Sequence, residues 1–188
     1  MKLVCIGDSL TFGYGIKRSE AWTRLIAELH GLEVLNKGVN GDTSGGMLSR
    51  FQYDVVLEKP DMVMIMGGVN DLIMGAPVGV VQANITAMAH QARGRMIRPI
   101  IGIPTPVNPR MARQFWSDVT DFEAVAQMQV SLREGLMKFC KDFGVHCIDF
   151  YLPFQKAVAE RGEHALYIDG LHPTAEGNRI MAETFFLP

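Results

Sequence analysis

The chain has 188 residues, 48% hydrophobic and 20% charged, with a formal net charge of −2 at pH 7. That length suits one domain over residues 1–188, burying about 70% of the surface its unfolded form exposes. Near-neutral charge with scattered lysines and arginines argues against a nucleic-acid partner, and no apolar run reaches membrane-spanning length.

Residues 3–6 form the first apolar strand, followed at once by I-G-D-S-L-T-F-G-Y-G over residues 6–15. Before Gly7 there are only one lysine and five apolar or small residues, too few for a signal-peptide core, so a cytoplasmic location is expected. A Gly-Asp-Ser at a strand end admits three readings: a phosphate cradle, a helix cap or a nucleophile. Trp22, Leu25, Ile26 and Leu29 then make a helical stripe closed by Gly31. Residues 33–36 are the second strand, and N-K-G-V-N-G-D-T-S-G-G (36–46) follows it. Residues 62–66 are the third strand, ending in G-G-V-N-D (67–71). Met62, Met64 and Met66 share one of its faces as core filler.

Val81, Ile85, Met88 and Ala92 mark the next helix, and residues 100–103 the fourth strand. The stretch 104–121, with Pro104, Pro106, Pro109, Phe115 and Trp116, reads as a substrate-lining flap over the rim where Ser9 falls. A long stripe from Val125 to Phe143 ends at Gly144, residues 145–148 form the fifth strand, and a last helix spans about 174–186. Cys5, Cys140 and Cys147 make no C-x-x-C pair and read as small buried hydrophobes in a reducing compartment. The alternation of strand and helix predicts an α/β domain of three layers around a mostly parallel five-stranded sheet, with the ligand site at the strands' carboxyl ends.

Phosphate-binding patterns fail on spacing. G-x-x-x-x-G-K-[ST] is absent, and Gly7, Gly13 and Gly15 do not fit G-x-G-x-x-G. A flavodoxin-like mononucleotide- or sugar-binding module remains an alternative, with the Ser9 and Thr11 hydroxyls near a helix N-terminus. It leaves D-G-L-H-P (169–173) without a role. There a turn can set the Asp169 carboxylate beside the His172 imidazole, and a serine nucleophile needs such an oriented base. Gly41 and Asn70, together with the Ser9 backbone N–H, can supply donors to an oxyanion. A rival nucleophile in G-D-T-S-G (41–45) is out of register, since Thr43 takes the serine place of G-x-S-x-G and Ser44 lies one residue on.

These four blocks, in this order from Gly7 to His172, resemble the SGNH or GDSL family of esterases and lipases. The resemblance implies a flavodoxin-like three-layer α/β/α fold, with Ser9 as nucleophile, His172 as base and Asp169 as orienting carboxylate. It implies an oxyanion hole from the backbone of Ser9 and Gly41 and the side chain of Asn70, with no metal or organic cofactor. G-D-T-S after the second strand is similar to the thioesterase I, lysophospholipase and arylesterase branch, and carbohydrate acetylesterases share the same blocks. The expected partner is a small-molecule ester or thioester. Val69, Leu72, Phe115, Trp116 and Leu171 are the candidate substrate-lining residues. With His172 as base, activity should fall on acidification through about pH 6–7.

Overall fold

The computed structural model describes residues 1–117 and 119–187. Position 118 of the 104–121 stretch therefore lies outside the described residues.

The elements in chain order are β1 (Lys2–Gly7), α1 (Ser9–Phe12), α2 (Trp22–His30), β2 (Glu33–Gly38), α3 (Ser44–Asp54), β3 (Met62–Met66), α4 (Val69–Ile73) and α5 (Val78–Gly94). They continue with β4 (Arg98–Ile103), α6 (Pro109–Phe115), α7 (Phe122–Phe143), β5 (His146–Asp149), α8 (Tyr151–Arg161), α9 (Glu163–Leu166) and α10 (Ala175–Thr184). The five strands pair in the order β2-β1-β3-β4-β5, and every pairing is parallel. The chain steps from β1 outward to β2, then crosses back to β3 and continues to the other edge. The order thus reverses between β1 and β3, which opens a crevice at their carboxyl ends.

Helices cover both faces, so the central strands are apolar on both. Val4, Ile6, Val63, Ile65 and Ile101 face one core, with Phe51 of α3, Ile85 of α5 and Leu132 of α7. Leu3, Cys5, Met62, Met64 and Met66 face the other, with Trp22 and Ile26 of α2, Phe154 of α8 and Met181 of α10. Continuous burial of this kind, rather than alternation, is what a parallel sheet sandwiched between helices demands.

The expected strands all form, the third with its ends unmoved and the others with at least one end displaced by one or two residues. The stretch 104–121 is less loop-like than its three prolines suggest. Pro109 sits in the first turn of α6, where a missing N–H costs nothing, and the Asn108 side chain caps that helix by accepting from Met111 N–H at 3.0 Å. The G-G-V-N-D block is likewise not all loop: Asn70 lies in the first turn of α4. Gly7 is required for space rather than for a turn. A Cβ there would fall 2.1 Å from Thr11 Oγ1 and 2.4 Å from the Met66 carbonyl oxygen.

Candidate active site

Asp8 alone separates Ser9 from the end of β1, and Ser9 is the first residue of α1, whose cap is Asp8. The Asp8 carboxylate accepts from Leu10 N–H at 2.9 Å, satisfying one of the donors a helix start leaves open. The capping and nucleophile readings of Gly-Asp-Ser thus fall on neighbouring residues, and Ser9 keeps its hydroxyl for other work.

That hydroxyl meets the far end of the chain. Ser9 Oγ lies 2.9 Å from His172 Nε2, and His172 Nδ1 lies 2.7 Å from Asp169 Oδ2. An ionised carboxylate only accepts, so Nδ1 carries the ring proton and Nε2 is left to accept from the serine hydroxyl. Asp169 Oδ1 accepts from the backbone N–H groups of Leu171 and His172 at 3.0 and 2.9 Å. Burial works against charge on Asp169, but the His172 ring and these N–H groups outweigh it and hold the carboxyl below its ordinary range. The turn that makes this possible depends on Gly170, at φ +86°. A Cβ there would also strike Ala112 N of α6 at 2.3 Å. The same glycine's carbonyl accepts from Asn108 N–H at 2.8 Å, which seats the turn on α6.

The crevice between β1 and β3 is bounded by the two further blocks. Gly41 is exposed at φ +76°, and its N–H has no acceptor among the described residues. Asn70 Nδ2 donates one hydrogen to the Asp42 carbonyl at 2.8 Å, which orients the amide and leaves its second hydrogen. Ser9, Gly41, Asn70 and His172 line one cavity of about 420 Å³. A smaller chamber of about 20 Å³ adjoins Ser9 on the side of Val69, Thr105 and Val107. Such an arrangement can take a serine proton, attack a carbonyl and bind the resulting oxyanion.

Of the expected lining residues, Trp116 and Leu171 border the larger cavity, and Val69 and Leu171 the smaller chamber. Two expectations fail. Leu72 points into the core and is fully buried, because the helical turn of α4 turns it away from Asn70. Phe115, at the end of α6, is 57% exposed and borders neither space, because α6 turns it to solvent. Tyr14, Ile73 and Phe122 line the cavity without having been singled out. The Tyr14 ring lies 4.3 Å from the His172 ring, centroid to centroid, tilted by 40°. The G-Y-G context of Tyr14 was the signal available, since an aromatic between glycines after the serine loop has little core to join.

Two residues that position the site, Ser44 and Arg50, were invisible as such. Ser44, fully buried, donates to Asp71 through its hydroxyl at 2.6 Å and its N–H at 2.8 Å, tying the Gly41 loop to α4. Arg50 donates to the carbonyls of Gly7 and Lys37 at 2.9 and 2.8 Å and to the Asp42 carboxylate at 2.7 Å. One guanidinium thus joins the ends of β1 and β2 to the same loop. Asp8, 1% exposed, has its second carboxylate oxygen without a protein partner. Burial pushes its carboxyl up to about 7. The Leu10 N–H and a charged His172 pull it down, while Asp42 and Asp71 push it further up.

Among the described residues no three His, Cys, Asp or Glu side chains gather as metal ligands would, and no helix is long and apolar enough to cross a membrane.

The sequence profile of the GDSL-like lipase/acylhydrolase family matches residues 5–180. Esterase TesA of Pseudomonas aeruginosa is 34% identical over 121 residues, which are 60% of this chain and 60% of that one. The chain thus aligns with less than two thirds of TesA, but an arylesterase of Vibrio mimicus aligns over 97% of this chain and 84% of its own, at 27% identity. A G-D-S-L family structure from Desulfitobacterium hafniense superposes with a TM-score of 0.83 at 30% identity, covering 97% of this chain and 96% of that one. With the profile running from β1 into the last helix, across both ends of the Ser9–His172 line, the chain belongs to the GDSL-like lipase/acylhydrolase family and is a carboxylic ester hydrolase.

Proposed function

We propose that the chain, acting as one domain over residues 1–188, hydrolyses esters of small to medium acyl groups, and thioesters of like size, through an acyl-enzyme on Ser9. The observation that carries this reading is the unbroken line Ser9 Oγ–His172 Nε2 at 2.9 Å and His172 Nδ1–Asp169 at 2.7 Å. His172 accepts the Ser9 proton as Oγ attacks the ester carbonyl, and Asp169 stabilises the imidazolium that forms. The N–H groups of Ser9 and Gly41 and the Asn70 amide receive the oxyanion. Collapse of the tetrahedral intermediate passes the proton from His172 to the departing alcohol or thiol. His172 then activates a water, which releases the acid and restores Ser9.

The nucleophile, base and oxyanion donors are all side chains or backbone, so none of these steps calls on a metal or organic cofactor. The cavity of about 420 Å³, walled by Tyr14, Ile73, Trp116 and Phe122, suits a medium-sized apolar or aromatic group. A mononucleotide- or sugar-binding module has no use for the Asp169–His172 pair. The test is labelling by a fluorophosphonate together with turnover of a small aryl ester. Both should disappear in Ser9→Ala while the fold persists, and undiminished turnover in a clean preparation of that variant would sink the assignment.

A further inference from the structure

We infer that Trp22 and Asn178 are positioning residues, which hold the Ser9 helix against the His172 turn through one buried chain of hydrogen bonds. The two reacting groups come from segments 163 residues apart. α1 has only four residues, too few to be rigid on its own. Its Leu10 carbonyl accepts from the Trp22 indole N–H at 3.0 Å. Trp22 is fully buried, with its ring 5.5 Å from that of Phe150, so the indole is a fixed post.

The post is held in turn. Trp22 opens α2, and the preceding Ala21 offers no side chain to cap it. The Trp22 backbone N–H instead donates to Asn178 Oδ1 of α10 at 3.0 Å. Asn178 Nδ2 donates to the carbonyls of Pro173 and Thr174 at 3.2 and 3.0 Å, and Pro173 directly follows His172. The relay therefore runs from the residue after Ser9 to the residue after His172. Asn178 is 2% exposed, and its oxygen and both amide hydrogens are used. Only a short side chain with one acceptor and two donors fits that post. Each broken link leaves an unpaired group in a dry interior and frees α1 to drift from the imidazole.

This inference rests on the esterase reading with Ser9 as nucleophile. The experiment measures kcat and KM for an aryl ester, normalised to Ser9 titrated by fluorophosphonate, in Trp22→Phe, Asn178→Ala and the double variant. Trp22→Phe removes the indole N–H while keeping an aromatic ring against Phe150. Each single change should lower kcat by about tenfold or more with KM within about twofold, as expected when reacting atoms are slightly misplaced. Because both residues act through one chain, the double variant should lose little more than the worse single variant. A purely structural role would lower the melting temperature and leave kcat per titrated Ser9 within about twofold of the parent; that result, or losses that multiply in the double variant, overturns the inference. If Asn178→Ala yields no folded protein, Trp22→Phe decides alone. Failure of the esterase reading shows separately, as turnover that survives Ser9→Ala.

Discussion

Replacing Asp8 by Asn should stabilise the protein at neutral and alkaline pH and do nothing at pH 4. Asp8 is 1% exposed, and one of its oxygens meets no donor. Its carboxyl is pushed up to about 7, against about 4 in an unfolded chain. Between those values the folded protein holds a proton that the unfolded chain has released, so this group lowers stability as pH rises from about 4 towards 7. Above about 7 both states are ionised and the full cost is reached, on the order of 4 kcal/mol by the proton linkage. Asparagine has the same shape and keeps an oxygen for Leu10 N–H, which Asp8 now bonds at 2.9 Å. Its amide nitrogen is as unpartnered as the protonated oxygen it replaces, so the two proteins should match at pH 4. Urea unfolding of both at pH 4, 6 and 8, with m-values unchanged, should give a difference growing to about 1–4 kcal/mol in favour of Asp8→Asn. A difference that stays constant with pH, or one that favours the parent at pH 8, would refute the claim that Asp8 is a strained, buried acid.

Asn70→Ala should lower kcat by about 10²–10³ if the amide binds the oxyanion, whereas a change confined to KM would assign it to substrate binding. Ser44→Ala should keep fluorophosphonate labelling at Ser9. It should cost about 2–3 kcal/mol in chemical denaturation, since it removes the 2.6 Å bond to the buried Asp71 carboxylate and takes from the Asn84 amide the hydroxyl it donates to at 3.0 Å. Gly7→Ala should lower the melting temperature by several degrees, because the added methyl meets the Met66 carbonyl at 2.4 Å and backbone cannot swing aside. A variant as stable as the parent would show that β1 has more room than its packing allows.

The sheet was legible because burial on both faces leaves a trace in the inner strands: residues 3–6 and 62–66 are unbroken apolar runs, fully buried. The residues proposed as catalytic stood out for a different reason. Ser9 sits hard against a strand end, and Asp169 and His172 are spaced for one turn. What could not be read was whatever depends on which side of a short helix a residue faces. Leu72 follows Asn70 by two residues, and in a strand or extended loop it would share its side; the turn of α4 sends it into the core instead. Phe115 and Trp116 look equivalent in sequence, yet only the second reaches the cavity. The supports were hidden too. Arg50 shows in sequence only its i,i+4 pairing with Asp54, and its bonds to the Gly7 and Lys37 carbonyls, like that of Ser44 to Asp71, exist only once the fold brings the partners near.

The separation of Ser9 from His172 also bears on how the molecule is made. β1 is the first of the five strands to be synthesised, yet it lies inside the sheet, flanked by β2 and β3, so it must wait for later segments to pair on both sides. The turn that carries His172 comes after all five strands, and α10, which packs on α2, comes after the turn. A nascent chain can therefore have its whole sheet assembled and still lack His172 beside Ser9. On the proposed mechanism, ester turnover therefore requires that the C-terminal segment has docked, and its loss after cleavage between β5 and Asp169 would remove the base and silence the protein.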